Sequence, residues 1–140
     1  MSEFARFPFT PMDADKAGVN KMPFLPLTLI YTEREVAASG LLDSGATVNV
    51  LPYSLGEQLG LVWEQQRTAV ILSGNMARVP ARGVLVSAMV GAFAPVRLAF
   101  AWAQTDEVPL ILGQANFFAE FDVCFLRSQA VFDIKPKANE

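Results

Sequence analysis

A chain of 140 residues that is 52% apolar and carries 11 phenylalanines is one domain's worth of sequence, with enough apolar mass for one core. Its net charge of −3 and the lack of any basic run exclude the electrostatic footprint of a nucleic-acid binder. With no histidine and a single cysteine, Cys124, it also excludes imidazole-based nucleophilic catalysis, an ordinary zinc site and an internal disulfide.

In chain order, residues 1–21 are polar and small, broken by Pro8, Pro11 and Gly18, and read as a loosely held arm. They contain no apolar run of the signal-peptide kind, so the cytoplasm is the expected location. Met22–Tyr31 reads as a strand, placed at an edge or irregular position by Pro26. Glu35–Leu42 returns as a second strand and runs into Asp43. Val48–Leu51 is a short apolar extension. Pro52–Leu59 reads as a short helix with Ser54 as a cap and Gly60 as its stop.

Thr68–Leu72 is β-branched and apolar, and Ser73-Gly74-Asn75 supplies turn residues before Met76–Val79, which predicts a hairpin. Gly83–Val90 and Val96–Ala103 are two more strands. In the second, Val96, Leu98, Phe100 and Trp102 alternate with Arg97, Ala99 and Ala101, a period-two pattern with one heavier face. The apolar run from Gly83 is interrupted by Ser87, Gly91 and Pro95, short of the roughly 20 residues of a membrane-spanning helix, so no membrane partner is expected. Val108–Leu112 is a further strand, Gln114–Glu120 a helical stretch, and Asp122–Leu126 with Ala130–Ile134 a closing hairpin. Cys124 lies in an apolar run and reads as a buried small hydrophobe. Many short strands and two small helices make an all-β domain of barrel type.

One feature of this pattern asks for chemistry. Asp43 ends a strand that reads as buried, and a carboxylate without a partner in such a place is costly. An echo exists further along: Leu41–Ala46 and Leu110–Ala115 both run apolar residues into a glycine turn ahead of a helical segment. On its own, an Asp-Ser-Gly turn is ordinary turn or helix-cap chemistry.

Leu41-Leu42-Asp43-Ser44-Gly45-Ala46-Thr47 resembles the active-site loop of the retropepsin-like aspartic proteases, the family of the retroviral proteases and their bacterial relatives. Val108-Pro109-Leu110-Ile111-Leu112-Gly113-Gln114 is similar to that family's second signature, an apolar strand ending in Leu-Gly before a helix. The two stand in the family's order with a glycine-bearing hairpin between them, and the resemblance spans residues 23–134. It implies a closed retropepsin-like β-barrel with one or two short helices, homodimeric, over residues 22–135, with 136–140 left as a polar tail.

The resemblance also implies a function: hydrolysis of peptide bonds by a water held between two carboxylates that share one proton. This chain has one such aspartate, because Asp106, Asp122 and Asp133 lack the small-Gly context. The second is therefore expected to be Asp43 of another copy across a twofold axis. In the same carry-over Ser44 locks the two loops together across the dyad, and Gly45 admits the substrate backbone. Ala46 and Thr47 line the groove. Ser73, Gly74, Asn75 and Met76 form a flap over a polypeptide substrate. Gly113 lets the second turn pack beneath the first, beside Gln114. No metal and no cofactor is implied.

Where the retroviral enzymes pair an acid with an arginine, this chain has Thr47 and Gln114, a neutral exchange in which the two could hydrogen-bond. Ala46 has no hydroxyl to donate to the dyad, so activity is expected at mildly acidic to neutral pH. The rival function is a retropepsin-like dimerisation or peptide-binding module with weak or no proteolysis, gripping extended peptide by strand addition. A structural barrel subunit of a larger assembly has only the apolar content in its favour.

Overall fold

The computed structural model describes residues 3–12 and 20–138. Strands β4 (Phe24–Tyr31) and β5 (Arg34–Leu42) form a full antiparallel hairpin, Phe24 opposite Leu41 through Tyr31 opposite Arg34. Thr32, with φ of 53°, makes the turn. β6 (Asn49–Leu51), helix α1 (Tyr53–Gln58), β7 (Ala81–Met89), β8 (Val96–Ala103) and β9 (Leu110–Leu112) follow, and the six long-range-paired strands close a barrel in the order β4-β5-β9-β6-β8-β7. The expected barrel with two short helices is therefore present, the second helix being α2 (Phe117–Glu120).

The echo between the two glycine turns has a spatial counterpart. β5 and β9 run parallel with Gly40, Leu41 and Leu42 beside Leu110, Ile111 and Leu112, so the two turns that follow them emerge side by side. The alternation predicted for β8 holds where it was legible: Leu98, Phe100 and Trp102 are buried in the main core. Ala101 and Ala103 are also buried, in a second, smaller cluster, so the end of β8 is covered on both faces. Pro26 is accommodated because β7 pairs with β4 only at Thr28–Ile30 and leaves Pro26 without a partner on that side.

Four expectations are corrected here. The stretch read as a loose arm contains strands: β1 (Ala5–Pro8) pairs with β11 (Val131–Pro136), and β2 (Thr10–Pro11) pairs with β3 (Lys21–Met22). Phe9 is buried in the core, which supplies the local reason; residues 13–19 of that stretch lie outside the described residues. At the other end, β11 runs to Pro136, and the Lys137 amide donates to the Glu120 carbonyl at 2.9 Å, so part of the polar tail is tied down. Ser54 does not cap α1; the Asp106 carboxylate does, accepting the Ser54 amide at 2.8 Å. Cys124 is exposed, because the register of β10 (Phe121–Leu126) on β11 sets it opposite Asp133, on the side of the sheet away from Phe132 and Ile134.

β10, β11 and β1 form a separate three-stranded sheet in the order β1-β11-β10. Phe132 and Ile134 face the core from its centre, while Arg6 on β1 clasps Asp133 on β11 by two hydrogen bonds of 2.7 and 3.0 Å. That bidentate guanidinium holds the Asp133 carboxyl below the usual carboxylate range, hydrogen bonding being the larger cause.

Candidate active site

Asp43 follows β5 directly, and its position is fixed through backbone. Its amide donates to the Leu112 carbonyl at 3.0 Å, which ties it to the end of β9, and its carbonyl accepts the Ala46 amide at 3.0 Å, which closes the turn. The side chain is half-buried. One carboxylate oxygen, Oδ1, accepts the Gly45 amide at 3.0 Å, and a side chain at Gly45 would begin 3.3 Å from that same oxygen. The strand therefore delivers a carboxylate to the barrel rim, and the turn holds one of its oxygens by a backbone donor.

The second glycine turn is laced to the first. Gln114 and Ala115 donate their amides to the carbonyls of Ala46 and Thr47 at 2.9 Å each, and Asn49 donates back to Ala115 at 3.1 Å. Gly113 is needed for this approach. A Cβ there would lie 2.5 Å from the Val48 carbonyl oxygen and 2.8 Å from that of Ala46, both of them backbone atoms. The Gln114 side chain does not reach Thr47 as expected from the exchange of the charged pair; its Nε2 donates to the Ser44 carbonyl at 2.8 Å instead. The neutral residue thus still braces the Asp43 turn, by a different acceptor.

Asn49 lies outside both sequence motifs. It is the single fully buried polar side chain among the described residues, at 0% exposure, and it bonds Gly113 across the seam between the turns. Its signal was a lone amide in an apolar run, Val48-Asn49-Val50-Leu51.

The Ser73–Met76 loop is less regular than the hairpin read from sequence. Only its base is paired: Val70 donates to Ala81 at 2.9 Å and Gly83 to Thr68 at 2.8 Å, around an isolated bridge between Ala69 and Arg82. Above this, Gly74–Met76 is one turn of 3-10 helix, and Ser73, Gly74 and Asn75 are exposed. Thr68–Leu72 is therefore not a strand, because no partner follows it up the arm. The loop's apolar residues still come home. Leu72 and Met76 join Val50 and Ile111 in the second cluster, against which Ala46 and Val48 also pack. Ala46 and Met76, from the two loops named by the sequence, both pack against this cluster.

The base of the arm is anchored by Arg82. Its guanidinium lies 4.4 Å from the centroid of the Trp63 ring and Nη1 donates to the Trp63 carbonyl at 2.6 Å. Trp63 in turn meets Trp102 edge-on, and Trp102 stacks on Tyr53 of α1. No cluster of metal-ligating side chains occurs among the described residues, and no helix there is long and apolar enough to cross a membrane.

Residues 31–115 match the family model described as aspartyl protease, which is more than half of the chain. The chain belongs to the aspartyl protease family. Two solved structures place the chain among the retropepsin-like folds. A retropepsin-like aspartic protease from Rickettsia conorii matches with a TM-score of 0.63 at 11% identity, over 97% of this chain and 94% of that one. The EIAV protease complexed with the inhibitor HBY-793 matches with a TM-score of 0.54 at 20% identity, over 69% and 85%. At such identities the likeness is one of fold. No curated protein matches the sequence.

Proposed function

We propose that the chain is an aspartic endopeptidase whose active site is completed by a second copy, with Asp43 of each copy sharing one proton and holding the attacking water. One carboxylate takes a proton from the water as its oxygen attacks the scissile carbonyl carbon, and the protonated partner donates to the carbonyl oxygen. The observation that carries this reading is the Asp43 carboxylate at the barrel rim, held by the Gly45 amide and braced by the second glycine turn. The other carboxylates named as rivals lie elsewhere: Asp106 caps α1, Asp133 is clasped by Arg6, and Asp122 is an exposed residue of the terminal sheet. These placements support a second acid drawn from another copy.

The groove that Ala46, Val48 and Met76 would line is apolar, which supports extended polypeptide with aliphatic side chains near the cleaved bond as the substrate class. Ser73, Gly74 and Asn75, all exposed, are proposed to close over the bound peptide, and Thr47 to border it. Ser44, also exposed, is free to meet the partner's loop. The cytoplasm belongs to the same proposal, with no cofactor required.

The test is cleavage of a peptide library by the wild-type chain and by Asp43→Asn across a pH series, read by mass spectrometry. Cleavage by wild type, reduced about 10²–10⁴-fold in the variant, is the expected result. Titrating Asp43→Asn into a fixed amount of wild type then tests the shared dyad. Activity should fall as the wild-type chains are drawn into mixed dimers; activity indifferent to the variant would mean one copy suffices. Silence from both chains, with a dimer established by light scattering, would favour the peptide-binding module.

A further inference from the structure

We infer that Asn49, backed by Asn116, is a positioning residue for Asp43, acting through the Gly113 amide. This rests on the reading of Asp43 as the working acid. The seam between the two glycine turns is otherwise held by backbone bonds and by the exposed Gln114 side chain. One backbone donor in it, the Gly113 N–H, has a buried side chain as its acceptor: Asn49 Oδ1, at 2.7 Å. Gly113 is also where the approach is tightest, since a Cβ there would strike two carbonyl oxygens. The residue before it, Leu112, accepts the Asp43 amide at 3.0 Å. Asn49 therefore holds the peptide unit that sets the height of Asp43.

The Asn49 amide is itself held. Nδ2 donates to the Ala99 carbonyl at 2.9 Å and approaches Asn116 Oδ1 at 3.4 Å. Asn116 Oδ1 accepts the Ala99 amide at 2.9 Å, and its Nδ2 donates to the Arg97 carbonyl at 3.2 Å. Two carboxamides thus bridge β8 to the second turn, and the one nearer the aspartate is sealed from water, where a lost partner is not replaced by solvent. Only a group with one acceptor and one donor aimed in opposite directions fits the inner place. Aspartate, of the same shape, would set an acceptor against the Ala99 carbonyl and Asn116 Oδ1.

Two readouts test this on the full-length chain. Amide hydrogen exchange and chemical shifts by NMR follow Gly113, which Asn49 contacts, and Gly45, which reports the Asp43 carboxylate; kcat and KM follow the reaction. In Asn49→Ala, Gly113 should exchange about 10–100-fold faster, the Gly45 amide should shift, and kcat should fall about 10²-fold with KM within about threefold. A folded Asn49→Ala chain with wild-type Gly113 and Gly45 amides, or with wild-type kcat, overturns the inference. If Asn49→Ala does not fold, Asn116→Ala decides: it should move the Gly45 amide the same way and lower kcat about 10-fold, and wild-type values there overturn the inference. If the wild-type chain itself cleaves nothing, the proposed function fails, and the NMR arm still decides whether Asn49 sets the aspartate's place.

Discussion

Gly113 and Gly74 sit on the two loops that frame the candidate site, and they are glycines for different reasons. Gly113 has an ordinary φ and no room: its missing side chain is what lets two turns exchange backbone hydrogen bonds. Gly74 has all the room it needs, with nothing within 4 Å of an added Cβ, and a φ of +66° that other residues resist. Around the first, the Asp43 turn is tied at Leu112, Ala46, Thr47 and Ser44. Around the second, Ile71 is 89% exposed and only the base of the arm is paired. The first loop holds Asp43 through several backbone bonds, and the second has little pairing above its base, which suits the closing role proposed for it.

Substitutions can break this contrast, and the largest effect is expected at Gly113. Gly113→Ala drives a methyl group into backbone oxygens that cannot swing aside, so it should destabilise the fold by about 3 kcal/mol or more and abolish cleavage, read by denaturant unfolding and peptide assay. Arg82→Ala removes the ring contact and the hydrogen bond at the root of the arm; it should cost about 1–2 kcal/mol and raise KM more than it lowers kcat. An equal loss in kcat alone would mean the arm's root does not govern binding. Gly74→Ala should cost least, about 1 kcal/mol, from left-handed backbone alone. If it proved as damaging as Gly113→Ala, the arm would be packed in solution in a way its present exposure contradicts.

The same contrast explains what was legible in the sequence. β4, β5 and β8 could be read because each carries its own alternation and burial. The Asp43 turn and its partner could be read because each pairs apolar approach with glycine, and the parallel register of β5 and β9 brings them together. Thr68–Leu72 carries the composition of a strand but lacks a neighbour above its base, and composition cannot report a missing neighbour. β1 failed in the opposite sense: broken by Pro8 and poor in pattern, it becomes a strand because β11, at the far end of the chain, accepts it. Asn49 belongs to no motif that the sequence offers, since its partners Ala99, Gly113 and Asn116 lie distant in sequence.

The Arg6–Asp133 clasp joins residues 127 apart, so it closes nearly the whole chain into one loop. Contacts between β1 and β11 close some of the longest loops among the described residues, so the terminal sheet is expected to form late in folding. Its sign with pH follows from Asp133, whose carboxyl is held low by Arg6. A carboxyl lowered on folding contributes above the unfolded carboxylate range and ceases to do so as the pH drops through its folded value. Acid should therefore loosen β1 on β11 ahead of the barrel, which has no ion pair among its described residues. Amide exchange at Phe7 and Arg6 rising ahead of that at Leu27 and Leu29 in an acid series would record that order.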